Sequence, residues 1–148
     1  MIKPTELRIG NLILWNPKLF NPTTTLPPSQ VEVTSIQEDK LGFIAPGVEK
    51  RVEPFEDDLL PLETPHGQLN EFEPLLLTVD LVKQCGFLYS DGNHDYSDYK
   101  KSPLSIRFKN DNTVLVTLSD HEFTYQSLHQ LQNLYFALTG DELRIELL

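Results

Sequence analysis

The chain has 148 residues, with 12 Lys+Arg against 22 Asp+Glu, for a formal net charge of −10. That length holds one domain or two small ones, and 39% hydrophobic with 9% aromatic residues is enough to build a core. The acidic balance opposes binding to nucleic acid by phosphate neutralisation and docking on anionic membranes, and no apolar run reaches the length of a membrane span.

Residues Met1–Glu6 lack the apolar core of a signal peptide, so a cytoplasmic location is expected. The single cysteine, Cys85, excludes an internal disulfide and a multi-cysteine zinc site. Ten of the eleven prolines lie at or before Pro74, and all five tyrosines lie after it. Proline interrupts strand ladders and helix interiors. The chain therefore divides into an all-β part at 1–73, with Pro-rich loops and an acidic connector, and an α+β part at 74–148. Charge does not mark this boundary, since 1–74 carries 12 acids against six bases and 75–148 ten against six.

In the first part, Gly10-Asn11 signals a turn before the apolar run Leu12–Trp15, read as a buried strand. Residues 16–30 hold four prolines and three consecutive threonines, which predicts a long surface loop. Val31–Ile36 and Leu41–Ile44, joined by a polar turn, predict a hairpin. A further short strand is expected through Glu49–Val52. Such short strands suggest a small antiparallel β-barrel, SH3-like in style. From Val52 to Val82 there is no Lys or Arg, and acids alternate with Leu and Phe. This connector is too apolar for a solvated linker and should pack along the protein.

The second part opens with a short helix. Thr78 is a candidate N-cap, Asp80 sits in the first turn, and Gly86 can end it. Phe87–Tyr89 reads as a strand and 90–103 as a polar loop. Leu104–Lys109 alternates between apolar and polar without a fault. After the turn Asn110–Asn112, Thr113–Leu118 returns as its partner. Phe123–Tyr125 is a further strand. Ser127 with Gln130 forms a capping box for a last helix carrying Leu128, Leu131, Leu134, Tyr135 and Leu138, closed by Gly140. The expected order is helix, antiparallel meander of three or four strands, helix.

The stretch His129–Leu143, containing HQLQNLYFALTG, resembles the C-terminal signature of a family of small uncharacterised proteins from Bacteroidota and their phages and mobile elements. Glu6–Asn11, Pro74–Thr78 and Gly86-Phe87 look like the same family. The resemblance implies a bacterial or phage protein, intracellular and without disulfides. It implies no catalytic residues.

Candidate chemistry is sparse. Asp91, Asn93 and Asp95 match the first positions of a calcium loop, but Tyr96 stands where Gly is needed and Ser102 where a bidentate Glu is needed. The alternative is a turn rich in Asp, Gly and Asn. His66, His94, His121 and His129 show no metal-motif spacing. A metal-dependent hydrolase would have to assemble in space from Asp91, Asn93, His94, Asp95, Asp98 and His121. No P-loop, nucleophile elbow or dinucleotide fingerprint occurs, and no cofactor is implied.

Tyr96, Tyr99, Lys100, Lys101, Arg107 and Lys109 gather four of the six bases of the second part. They suggest either a nucleic-acid accessory surface or a solvated strand face. Gln130, Gln132 and Asn133 either fix the last helix by backbone bonds or present a recognition face. Buried cysteines are usually inert, which is the expectation for Cys85. The leading expectation is a non-enzymatic module that binds a protein partner, with Tyr96, Tyr99, Lys100, Lys101, Gln130 and Asn133 as contacts.

Overall fold

The computed structural model describes residues 2–19, 21–37, 40–44 and 66–146. The chain forms two compact units, Met1–Pro74 and Leu75–Leu148. Among the described residues, antiparallel strands in two five-stranded sheets dominate, with two α-helices, and one sheet is nearly barrel-shaped.

The first unit holds β1 (Leu12–Trp15), β2 (Ser29–Ile36), β3 (Lys40–Ile44), β4 (His66–Gln68) and β5 (Phe72–Glu73), in the order β4-β3-β2-β1-β5. Gly10 takes the left-handed backbone (φ 93°) that only glycine adopts freely. The buried Asn11 accepts the Arg8 amide on its side-chain oxygen (2.7 Å) and the Val33 amide on its carbonyl (2.9 Å). This pins the turn against β2.

Ile13 faces Val31 and Val33 faces Phe43 across the strands. With Ile2, Leu7, Leu41 and Phe72 they form the core. Phe43 stands between Trp15 and Phe72, with ring centroids at 5.0 and 5.6 Å. Such aromatic pairs add to the burial of their area. Glu71 fixes the closing strand, because its carboxylate accepts the Trp15 indole N–H (2.8 Å) and the Gln68 amide (3.2 Å).

Two expectations are corrected here. Residues 16–30 are not wholly loop. A 3-10 turn occupies Pro17–Leu19, and β2 begins at Ser29. The acidic connector supplies β4 and β5, because Phe72 is a core residue amid acids. Leu77 is buried, but Leu76 is exposed, so packing of that stretch is partial. The strand expected at Glu49–Val52 lies outside the described residues.

The second unit runs α1 (Val79–Gln84), β6 (Leu88–Gly92), β7 (Tyr96–Lys101), β8 (Leu104–Lys109), β9 (Val114–Leu118), β10 (His121–Thr124) and α2 (Leu128–Thr139). The sheet order β10-β9-β8-β7-β6 is a simple meander. Thr78 Oγ1 accepts the Leu81 amide (3.2 Å), and Gly86 (φ 83°) ends α1. Gly140 (φ 75°) ends α2. The Gln130 side-chain oxygen accepts from the amide (3.4 Å) and hydroxyl (2.8 Å) of Ser127.

Residues 90–103 do not form the polar loop that their composition predicts. They complete β6, turn, and build β7. The Asn93 side-chain oxygen accepts the Asp95 (2.7 Å) and Tyr96 (3.3 Å) amides and so makes the turn itself. The sheet thus has five strands rather than three or four. On α2 the buried positions are Leu128, His129, Leu131 and Gln132, while Leu138 is exposed.

Gly67 has no room for a side chain, since a Cβ there would stand 2.8 Å from the Phe72 ring. Gly67→Ala should cost the first unit about 1–3 kcal/mol through displacement of Phe72. Urea unfolding followed by Trp15 fluorescence checks this, and an unchanged midpoint would contradict the packing described.

Candidate functional site: the open face of the second sheet

Strand alternation divides the second sheet cleanly. Tyr99 pairs with Ile106 and Ile106 with Val116 on the buried face. On the other face Lys100 pairs with Ser105, Ser105 with Thr117, and Thr117 with Glu122. In the neighbouring row Asp98 pairs with Arg107 and Arg107 with Leu115. These residues line an open groove of about 280 Å³.

Arg107 is the fixed point of this face. Its Nε and Nη2 donate to the two carboxylate oxygens of Asp98, both at 2.7 Å. A planar fork meeting a planar carboxylate in this way sets both groups in one orientation. The guanidinium also lies 4.0 Å from the Tyr96 ring centroid. The Tyr96 hydroxyl reaches Asp91 at 3.4 Å. The hydrogen bonds it donates to Asp98 raise the Arg107 pKa above its ordinary value. Partial desolvation opposes this, and the charges of Asp98 and Glu122 add to it.

The sequence-derived contact residues separate into two sets. Tyr96 and Lys100 belong to the open face. Tyr99 does not, being only 5% exposed, with its ring edge-on to Tyr89 (5.8 Å) and Phe108 (5.9 Å). Lys101 turns to the other side of the sheet. Its amine donates to the Cys85 carbonyl (2.6 Å) at the end of α1 and lies 5.5 Å from the Tyr135 ring centroid on α2. A cation at a helix C-terminus meets the negative end of the helix dipole. Both residues are structural ties. Gln130 caps α2, and Asn133 is half-buried on it.

The residues of the proposed metal site do not converge. Asp91, Asn93, His94, Asp95 and Asp98 lie on the β6–β7 hairpin at one edge of the sheet, and His121 lies on β10 at the other. Three to four strand spacings separate them, roughly 14–19 Å. The Asn93 side-chain oxygen serves its own turn, the His94 carbonyl accepts from the Asn110 side chain, and Asp98 holds Arg107. Among the described residues no three His, Cys, Asp or Glu are grouped to hold a metal ion. Nor does the basic patch hold as one surface, because Lys101 is used inside and Arg107 is bound to an acid.

The stretch His129–Leu143 has a structural explanation. Gln132, only 2% exposed, donates from its side chain to the Leu143 carbonyl (3.2 Å). Leu143 itself is fully buried, and beyond it the Glu146 amide donates to the Gln84 carbonyl (2.7 Å) at the end of α1. The tail is therefore latched back onto the unit. Sequence patterning misses this latch, because Leu143 follows a helix stop and belongs to no periodic element.

Sequence patterning also misses the roles of Leu115, Thr117 and Glu122. Their signal is the period-two alternation of β9 and β10.

No family model, curated protein or solved structure matches the chain. Among the described helices, none is long and apolar enough to cross a membrane.

Burial pushes the Cys85 thiol up to about 11, against a smaller lowering by Lys101. The thiol should therefore resist a disulfide reagent at about pH 8 in the folded chain and react at once in denaturant. Immediate labelling of the native protein would contradict its burial. Leu143→Ala should destabilise the second unit by about 2–5 kcal/mol. Amide exchange in α1 and α2 reads this directly, and unchanged protection would mean that the tail does not support the unit.

Proposed function

We propose that the chain is a non-enzymatic protein-interaction module of the phage or mobile-element type, and that the open face of the second sheet is its binding surface. One observation carries the reading. Arg107 is held by Asp98 and stacked on Tyr96 beside an open groove. Arginine and tyrosine dominate the anchoring positions of protein interfaces. A side chain fixed before association loses less freedom on binding. Lys100 extends the surface. The resemblance of His129–Leu143 to a family of Bacteroidota, phage and mobile-element proteins supports the type of protein, though not the site.

The first unit fits an SH3-like barrel in its connectivity. The fifth strand returns to pair with the first, and a 3-10 turn at Leu69–Glu71 precedes it. The second unit fits a helix, meander, helix arrangement. Neither fold dictates an activity, since one fold hosts many functions.

Against a nucleic-acid role stands the charge of this face, where Asp91, Asp98 and Glu122 offset Lys100, Arg107 and Lys109. Affinity for phosphates requires cations in excess.

The test is affinity capture with the full tagged chain in lysate of the source organism. A specific protein should be retained by the wild type and by Lys18→Ala in the first unit. Arg107→Ala and Leu115→Glu should each lose it. Capture of no specific protein, or equal capture by all four forms, would refute the assignment.

A further inference from the structure

We propose that the groove takes an extended peptide segment with one acidic and one basic side chain four positions apart, the acid on Lys100 and the base on Glu122. This rests on the reading of the face as a protein-binding surface, and it names what that surface binds.

Lys100, Ser105, Thr117 and Glu122 form one row across β7, β8, β9 and β10. The two charged ends are exposed, and the two hydroxyl residues between them are half-buried. Three strand spacings put the ends about 14 Å apart. An extended chain advances about 3.3 Å per residue, so positions i and i+4 stand about 13 Å apart. Positions i, i+2 and i+4 also share one face of such a chain. The central residue then lies over the Ser105 and Thr117 hydroxyls, with Leu115 in the next row. A small polar side chain suits that place.

The distribution of charge selects this ligand over others. Asp98 takes two of the Arg107 donors and offsets the guanidinium charge. That leaves a cation at one end of the row and an anion at the other. Such a row matches a dipolar segment. A ligand with the same charge at both ends gains at one end and loses at the other, because one of the two ends is always like-charged.

The experiment is a chemical-shift titration of the isotope-labelled full chain with three end-blocked pentapeptides. Their sequences are Asp-Val-Ser-Val-Lys, Lys-Val-Ser-Val-Lys and Asp-Val-Ser-Val-Asp. The first should shift the amides of Lys100, Ser105, Thr117 and Glu122 and bind about fivefold tighter than the others, the scale of an exposed ion pair. Lys100→Glu should transfer preference to the two-lysine peptide, and Glu122→Lys to the two-aspartate peptide. The double variant should regain the Asp–Lys peptide, now laid in the opposite direction. Absence of shifts in this row, equal affinity for all three, or preferences that do not move with the variants would overturn the proposal. If the peptides fail while Leu115→Glu still abolishes partner capture, the face binds protein by another mode. If both fail, the reading of the face falls as well.

Discussion

The second unit depends on strand register. Each of β7, β8 and β9 alternates so that Tyr99, Ile106 and Val116 enter one face and Asp98, Arg107 and Leu115 leave by the other. A slip of one residue would bury Arg107 and expose Ile106, so the hydrophobic pattern and the charged face enforce the same register. The Asp98–Arg107 bond then forms between residues that the ladder already places opposite each other. Tyr96, two positions before Asp98, emerges on that same face and receives the guanidinium.

The buried face is tied to its helices by polar contacts as well as packing. Lys101 spans from β7 to the Cys85 carbonyl just past α1 and the ring of Tyr135 on α2. Gln132 and Gln84 hold the tail that follows α2. Lys101 and Gln132 come from the basic cluster and the amide-rich helix that look, in the sequence, like recognition surface. The first unit uses the same economy, with Glu71 of its acidic stretch satisfying the indole of Trp15 and the amide of Gln68. Lys101, Gln132 and Glu71 thus serve backbone and ring partners rather than the surface.

That habit explains what the sequence reveals and what it hides. The β8–β9 hairpin is legible because Leu104, Ile106, Val114 and Val116 are apolar at every buried position. The caps at Thr78, Ser127 and Gly140 are legible because each residue type has a fixed role at a helix end. β7 is hidden because two of its inward residues, Tyr99 and Lys101, read as outward ones. The metal candidates mislead because a run of Asp, Asn and His is equally the composition of a tight turn, and Asn93 makes that turn. The tail latch is hidden because it joins Gln132 to Leu143 by a backbone carbonyl, which no residue type reports. The open face is half legible. Its basic residues stand out, but the acid that holds Arg107 is recognisable only once the register places Asp98 opposite it.

The open face serves as a binding surface only if Arg107 is held in place before any partner arrives. Nitrogen relaxation at its Nε reports this directly. In the free chain the order parameter should approach that of rigid backbone, about 0.85, and fall in Asp98→Asn. A value below about 0.6 in the unmodified chain would show an ordinary mobile arginine and contradict a fixed anchor on this face.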